Sequence, residues 1–114
     1  MHEYSLIQSL VARVETEARA RRALAIHRVV VRVGELSGVD PELFRTAYDT
    51  FRAGTLCEGA ALELRRVEAD WRCPACRRTI EKGAVLSCPA CGTPAALAEG
   101  ADAILLETIE MEVP

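Results

Sequence analysis

Four of the five cysteines in this 114-residue chain fall in one stretch, CPACRRTIEKGAVLSCPAC. Cys73 and Cys76 form one Cys-x-x-Cys pair, Cys88 and Cys91 a second, with eleven residues between the pairs. Two cysteines three positions apart on a tight turn can both face one cation. Two such turns facing each other complete a tetrahedron of thiolates, the arrangement zinc takes in structural sites, with Zn–S bonds of about 2.3 Å. Pro74 and Pro89 suit the turns, and Gly92 can take the positive φ that often follows such a knuckle. A pair of disulfides or redox-active thiols is the competing chemistry; duplicated C-P-A-C turns in a chain expected in the cytosol favour metal. With thiolates at all four positions no coordination site stays open for a water or substrate, so the expected zinc is structural rather than catalytic.

A second metal chemistry lies in the opening MHEYSL. The chain has two histidines, and His2 stands directly behind Met1. A histidine there lets the terminal amine, the His2 amide nitrogen and the His2 imidazole wrap one ion in fused chelate rings, a nitrogen set that favours square-planar Ni(II) or Cu(II). Glu3 adjoins the chelate and can add a donor through its amide nitrogen or its carboxylate. Because the amine must be free and the amide deprotonated, such a site binds more tightly as pH rises. On residue chemistry alone a solvated His2 side chain is the simpler alternative. His27, at the start of an apolar run, reads as a surface or hydrogen-bonded histidine, and Cys57 in LCEGA as a small buried apolar residue. Glu107, Glu110 and Glu112 read as the solvated side of an edge strand.

These groups need elements to carry them. Ile7, Leu10, Val11, Val14 and Ala18 recur at helical spacing over residues 4–22, predicting an amphipathic helix with a basic end. AIHRVVVRV predicts a strand with Val29, Val31 and Val33 on one face and Arg28 and Arg32 on the other. After the turn GELSG, Asp40 is an N-cap, Pro41 fits N1, and Leu43, Phe44, Ala47, Tyr48 and Phe51 form an apolar face that Gly54 ends. AALELRRV and DAILLETIEMEV predict two further strands on either side of the cysteine module. Antiparallel pairing of these two would leave the module projecting as a head, with PAALAEGA as its return linker. The expected class is α+β: a small sheet of about three strands packed by two helices, in the order α-β-α-β-ribbon-β. Residues 1–69 with 101–114 make one unit, and 70–100 an inserted four-cysteine zinc ribbon.

Composition narrows the partners. Half the residues are apolar and 27% are charged, the ordinary globular mix, and no apolar run nears the ~20 residues needed to cross a bilayer. Nor does the start carry a basic region, apolar stretch and cleavage site, so a cytoplasmic location is expected. The net charge of −3 offers nothing to a polyanion. From Trp71 to Pro94, Arg72, Arg77, Arg78 and Lys82 outweigh Glu81, but a zinc tetrathiolate contributes about −2 and Trp71 is the only aromatic. The module is near neutral and poorly equipped to bind nucleic acid.

The chain as a whole resembles the HypA/HybF nickel metallochaperones of hydrogenase maturation. The resemblance rests on MHEYSLIQSLV, VRVGELSGVDPELF, AALELRRV, the two Cys-x-x-Cys pairs and the acidic-apolar last strand. It implies a non-enzymatic protein that binds Ni(II) at its N-terminus, with His2 and Glu3 matching the family's nickel site. It also implies a HypB-type GTPase as partner and the large subunit of a [NiFe] hydrogenase as recipient. Asp40 is a further candidate ligand, although its capping role already accounts for it. Some relatives carry a histidine just after each cysteine pair and are associated with urease maturation. Here Arg77, Arg78 and Gly92 stand in those places, so hydrogenase is the expected client. A surface helix and an unpaired edge strand both permit a homodimer. The rival classes are a zinc-ribbon adaptor without nickel transfer and a small metal-dependent enzyme; for the latter, no serine or cysteine has a histidine base in reach.

Overall fold

The computed structural model describes residues 2–80, 87–88, 90–97 and 99–114. The expectations placed on Met1, Glu81, Lys82, Pro89 and Ala98 lie outside the described residues. Helix α1 spans His2–Ala20 and buries Ile7, Val11, Val14 and Ala18, the stripe that a spacing of three and four residues dictates. It starts two residues earlier than the apolar pattern does, so His2 and Glu3 belong to its first turn. Strand β1 covers Ala25–Gly34. Its Val29, Val31 and Val33 enter the same core as α1, while Val30, on the alternate face, is buried as well.

Helix α2, Pro41–Phe51, forms as its sequence signals direct. The Asp40 carboxylate accepts from the N–H groups of Glu42 and Leu43, Pro41 occupies the first turn, and Phe44, Ala47 and Tyr48 are buried. Leu43 departs from the expected apolar face. It is one step off the 44-47-48-51 stripe and is half exposed. Tyr48 is held by its hydroxyl, which donates to the Ala60 carbonyl at 2.8 Å. Gly54 takes φ +76° in the turn beyond the helix.

Strands β2 (Ala61–Val67) and β6 (Ile104–Glu112) complete the main sheet, in the order β2-β1-β6. Here the structure corrects the expectation that β2 and β6 pair with each other. Instead β2 runs parallel to β1 and β6 antiparallel to it, one on each side. The physical reason is the apolar content of β1. Val29, Val31 and Val33 bury one face of β1 and Val30 part of the other, so the most buried of the three strands takes the centre, while β2 and β6, with more exposed positions, take the edges. Across the charged face Glu110 pairs with Arg28, and Glu107 with Arg65 at 3.3 Å and Arg32 at 3.7 Å. Two of the three edge-strand glutamates are therefore committed to cross-strand ion pairs rather than simply solvated.

Both β2's end and β6's start lie at the Gly34 end of β1, with Gly34 opposite Val67 and Val33 opposite Ile104. The ribbon leaves and returns there, separated by the width of one strand. Its own sheet has three two-residue strands, β3 (Trp71–Arg72), β4 (Thr79–Ile80) and β5 (Ala96–Leu97), in the order β4-β3-β5. The segment expected as a plain return linker thus contributes β5. The radius of gyration, 17.8 Å, exceeds the ~13 Å of a compact chain this long, as two lobes require.

Candidate metal centre

Each cysteine pair sits on a knuckle, and the two knuckles repeat one geometry. In the first, the N–H of Arg77 donates to the Cys73 carbonyl at 2.7 Å, and the N–H of Cys73 to the Arg78 carbonyl at 2.9 Å. In the second, Gly92 donates to Cys88 at 2.7 Å and Cys88 to Thr93 at 2.8 Å. The residue four places after each first cysteine is left-handed, Arg77 at φ +61° and Gly92 at φ +73°. Glycine accepts that conformation freely; arginine holds it at a cost of about 1 kcal/mol.

The first cysteine of each knuckle, Cys73 and Cys88, is buried against Ile80, Trp71 and Ala95, while Cys76 and Cys91 face outward. All four sulfurs lie within 4.8 Å of one another. A tetrahedron with 2.3 Å bonds needs edges of about 3.8 Å. The 3.5 Å separations of Cys91 from Cys73 and from Cys76 approach that value and lie far beyond a disulfide bond.

Crowding splits the acidity of these thiols. The Thr93 hydroxyl, 3.0 Å from Cys91 Sγ, and the Thr93 backbone pull Cys91 down to about 6. Cys76 is pushed up to about 12, first by its hydrogen bond to Cys91 and then by those to Cys73 and Cys88. Four thiols this close ionise together only around a cation. Thr93 escaped the sequence reading, and its only signal there is its place after Gly92.

Among the described residues, the four cysteines are the one group of three or more metal-type side chains whose ligand atoms converge. His2 is exposed at the start of α1. Glu3 is half-buried, and its carboxylate accepts from the Asp40 backbone N–H at 3.3 Å. The structure therefore brings Glu3 to the N-terminus of α2, while Asp40's own carboxylate is occupied with capping. His27 is exposed on β1, lining a groove with Arg13 and Glu17 of α1, Arg21 in the turn after it, and the edge of β6. Cys57 is fully buried, and desolvation pushes its thiol up, as an inert core residue requires.

With this geometry in place, comparison with known proteins is decisive. A family described as "Hydrogenase/urease nickel incorporation, metallochaperone, hypA" matches residues 1–111. The hydrogenase maturation factor HypA of Aquifex aeolicus is 36% identical over 114 residues, 99% of either chain. The solution structure of the nickel metallochaperone HypA from Helicobacter pylori superposes with a TM-score of 0.70 at 31% identity, covering 98% of both chains. A second HypA solution structure gives 0.75 at 33% identity, covering 97% of this chain and 96% of that one. The family carries metal rather than catalysing a reaction, and its members work in hydrogenase maturation. The chain belongs to the HypA family of nickel metallochaperones.

Proposed function

We propose that this chain takes up Ni(II) on its N-terminus through His2 and Glu3, and gives it to the large subunit of a [NiFe] hydrogenase. One observation carries the reading: His2 and Glu3 form the first turn of α1 in a chain that matches the family from its first residue. The first four N–H groups of a helix have no acceptor within it. The amide nitrogens of His2 and Glu3 can therefore lose protons to a metal without breaking a helical hydrogen bond. Neutral and amide nitrogens suit Ni(II). The partial positive charge of the helix start opposes a bound cation by about 0.3–1 kcal/mol, which favours release. The expected affinity is about micromolar, which suits ligand-by-ligand transfer to a stronger acceptor.

The four cysteines fit zinc: an all-sulfur set, near-tetrahedral spacing, and a hydrogen-bonding hydroxyl at Cys91. Zinc there stays with the protein and orders the ribbon. In this reading residues 1–69 with 101–114 are the nickel-binding unit and 70–100 the ribbon. The work is cytoplasmic, with a HypB-type GTPase as partner and neither nucleic acid nor membrane involved. Homodimerisation is compatible with the outer edge of β6, which pairs with no strand among the described residues.

The test is a nickel titration of tag-free protein after metal analysis, comparing wild type, His2→Ala and a variant with one residue added before Met1. The expected result is one zinc throughout and one nickel in wild type alone. If both variants bind nickel as wild type does, the chelate reading falls, and a zinc-ribbon adaptor without nickel transfer takes its place.

A further inference from the structure

Where the ribbon joins the main sheet, three residues hold both of its necks. Gly34 donates its N–H to the Ala103 carbonyl, Glu35 to Val67 and Leu36 to Ala101, each at 2.8 Å. The Glu35 carboxylate then reaches past Val67 to accept from the N–H of Ala69 at 2.7 Å, and pairs with Arg66 at 3.4 Å. Ala69 and Ala101, one in each neck, are buried. Gly34 is needed for this closeness, since a Cβ there would stand 2.4 Å from the Ala101 carbonyl oxygen. The outgoing and returning chains, which pair directly with each other only further out where β3 meets β5 among the described residues, are joined at the necks through this tripeptide.

The same segment runs on toward the start of α1. The N–H of Ser37 donates to the Gly34 carbonyl at 3.0 Å, and that of Val39 to the Ser37 hydroxyl at 3.3 Å. Asp40 follows, and its N–H holds the Glu3 carboxylate. Four residues therefore connect the ribbon necks to the seat of Glu3.

We propose that Gly34–Leu36 is a clamp that fixes the ribbon's orientation, and that Glu35 is its positioning residue, coupling the ribbon to the Asp40–Glu3 contact. The backbone bonds of the tripeptide secure Val67 and Ala101–Ala103. The Glu35 side chain secures Ala69, two residues before β3, so it sets the angle at which the ribbon leaves. The clamp stands apart from the nickel proposal; its bearing on nickel hand-over rests on that reading.

The experiment uses the zinc-loaded full chain without nickel. Nitrogen-15 relaxation compares amides of α1 and α2 with those of the ribbon in wild type, Glu35→Ala, Glu35→Asp and Glu35→Gln. In wild type both sets tumble together. Glu35→Ala and Glu35→Asp, whose side chains cannot reach Ala69, free the ribbon, raise exchange of the Ala69 N–H by about ten- to a hundredfold, and shift the Asp40 amide resonance. Glu35→Gln keeps an acceptor oxygen and restores the wild-type pattern. If Glu35→Ala fails to fold, Glu35→Asp decides. Unchanged ribbon relaxation on loss of the carboxylate, or a glutamine variant as loose as the alanine one, overturns the clamp. A freed ribbon with an unmoved Asp40 amide overturns the coupling. Failure of nickel to bind His2 bears on the chelate alone and leaves these readouts intact.

Discussion

Removing the ribbon's metal should melt one lobe and spare the other. Among the described residues the ribbon's buried cluster is Cys73, Ile80 and Cys88, two of them cysteines of the proposed metal site, with Trp71 and Ala95 partly covered beside them. Burial of Ile80 and part of Trp71 contributes about 3–5 kcal/mol. Ordering only the six residues of β3, β4 and β5 costs about 6–12 kcal/mol. The shortfall of several kcal/mol falls within the roughly 10–16 kcal/mol that a structural zinc supplies. None of the residues of the main core, from Ile7 to Leu62, belongs to the ribbon, so that core keeps its packing when the metal leaves. A two-dimensional amide spectrum before and after stoichiometric zinc removal reads both lobes at once. Amides of residues 71–97 should collapse toward random-coil positions while those of α1, β1 and α2 stay dispersed. Persistence of ribbon dispersion without metal would refute the shortfall, and loss of every dispersed resonance would refute the independence of the two cores.

Nickel affinity should rise with pH through neutrality, with protons released on binding, because the amide and amine donors must be deprotonated; calorimetry in buffers of different ionisation enthalpy counts those protons. Tyr48→Phe should cost about 1 kcal/mol in denaturant unfolding, not the larger penalty of an orphaned acceptor, since the Ala60 carbonyl still accepts from Arg52 at 2.9 Å. Burial pushes the Tyr48 phenol up to about 12, above its unfolded value near 10. The folded state therefore retains a proton that the unfolded chain loses, so Tyr48's contribution is complete below about pH 10 and vanishes as pH rises to about 12; the phenylalanine variant should show no such loss. Gly92→Ala should weaken the second knuckle by about 1 kcal/mol, whereas Arg77→Gly should not weaken the first, both read as zinc retention against a competing chelator.

Reading the chain in one dimension worked where the information is local. The α2 cap and stop are short-range signals, and Asp40, Pro41 and Gly54 fall as their types require. Leu43 misled because an apolar residue at the margin of a helical stripe faces the core or solvent according to what packs beside it. Strand pairing misled for a related reason. The charged faces of β2 and β6 look alike in sequence, and only competition for the apolar centre places β1 between them.

The sequence alone determined the four-sulfur site, because Cys-x-x-Cys turns bring their thiols together through local backbone geometry, and it determined the family, because the opening, the GELSG turn and the cysteine pairs occur together. It could not determine which residues support these features from a distance. The seat of Glu3 on Asp40 and the hold of Glu35 on Ala69 join residues 37 and 34 positions apart. These two contacts exist only because β1 and its turn lie between the ribbon's two necks and beside the start of α1. Such contacts follow from the packing of whole elements, where burial of apolar faces chooses the partners and no single stretch of chain encodes them.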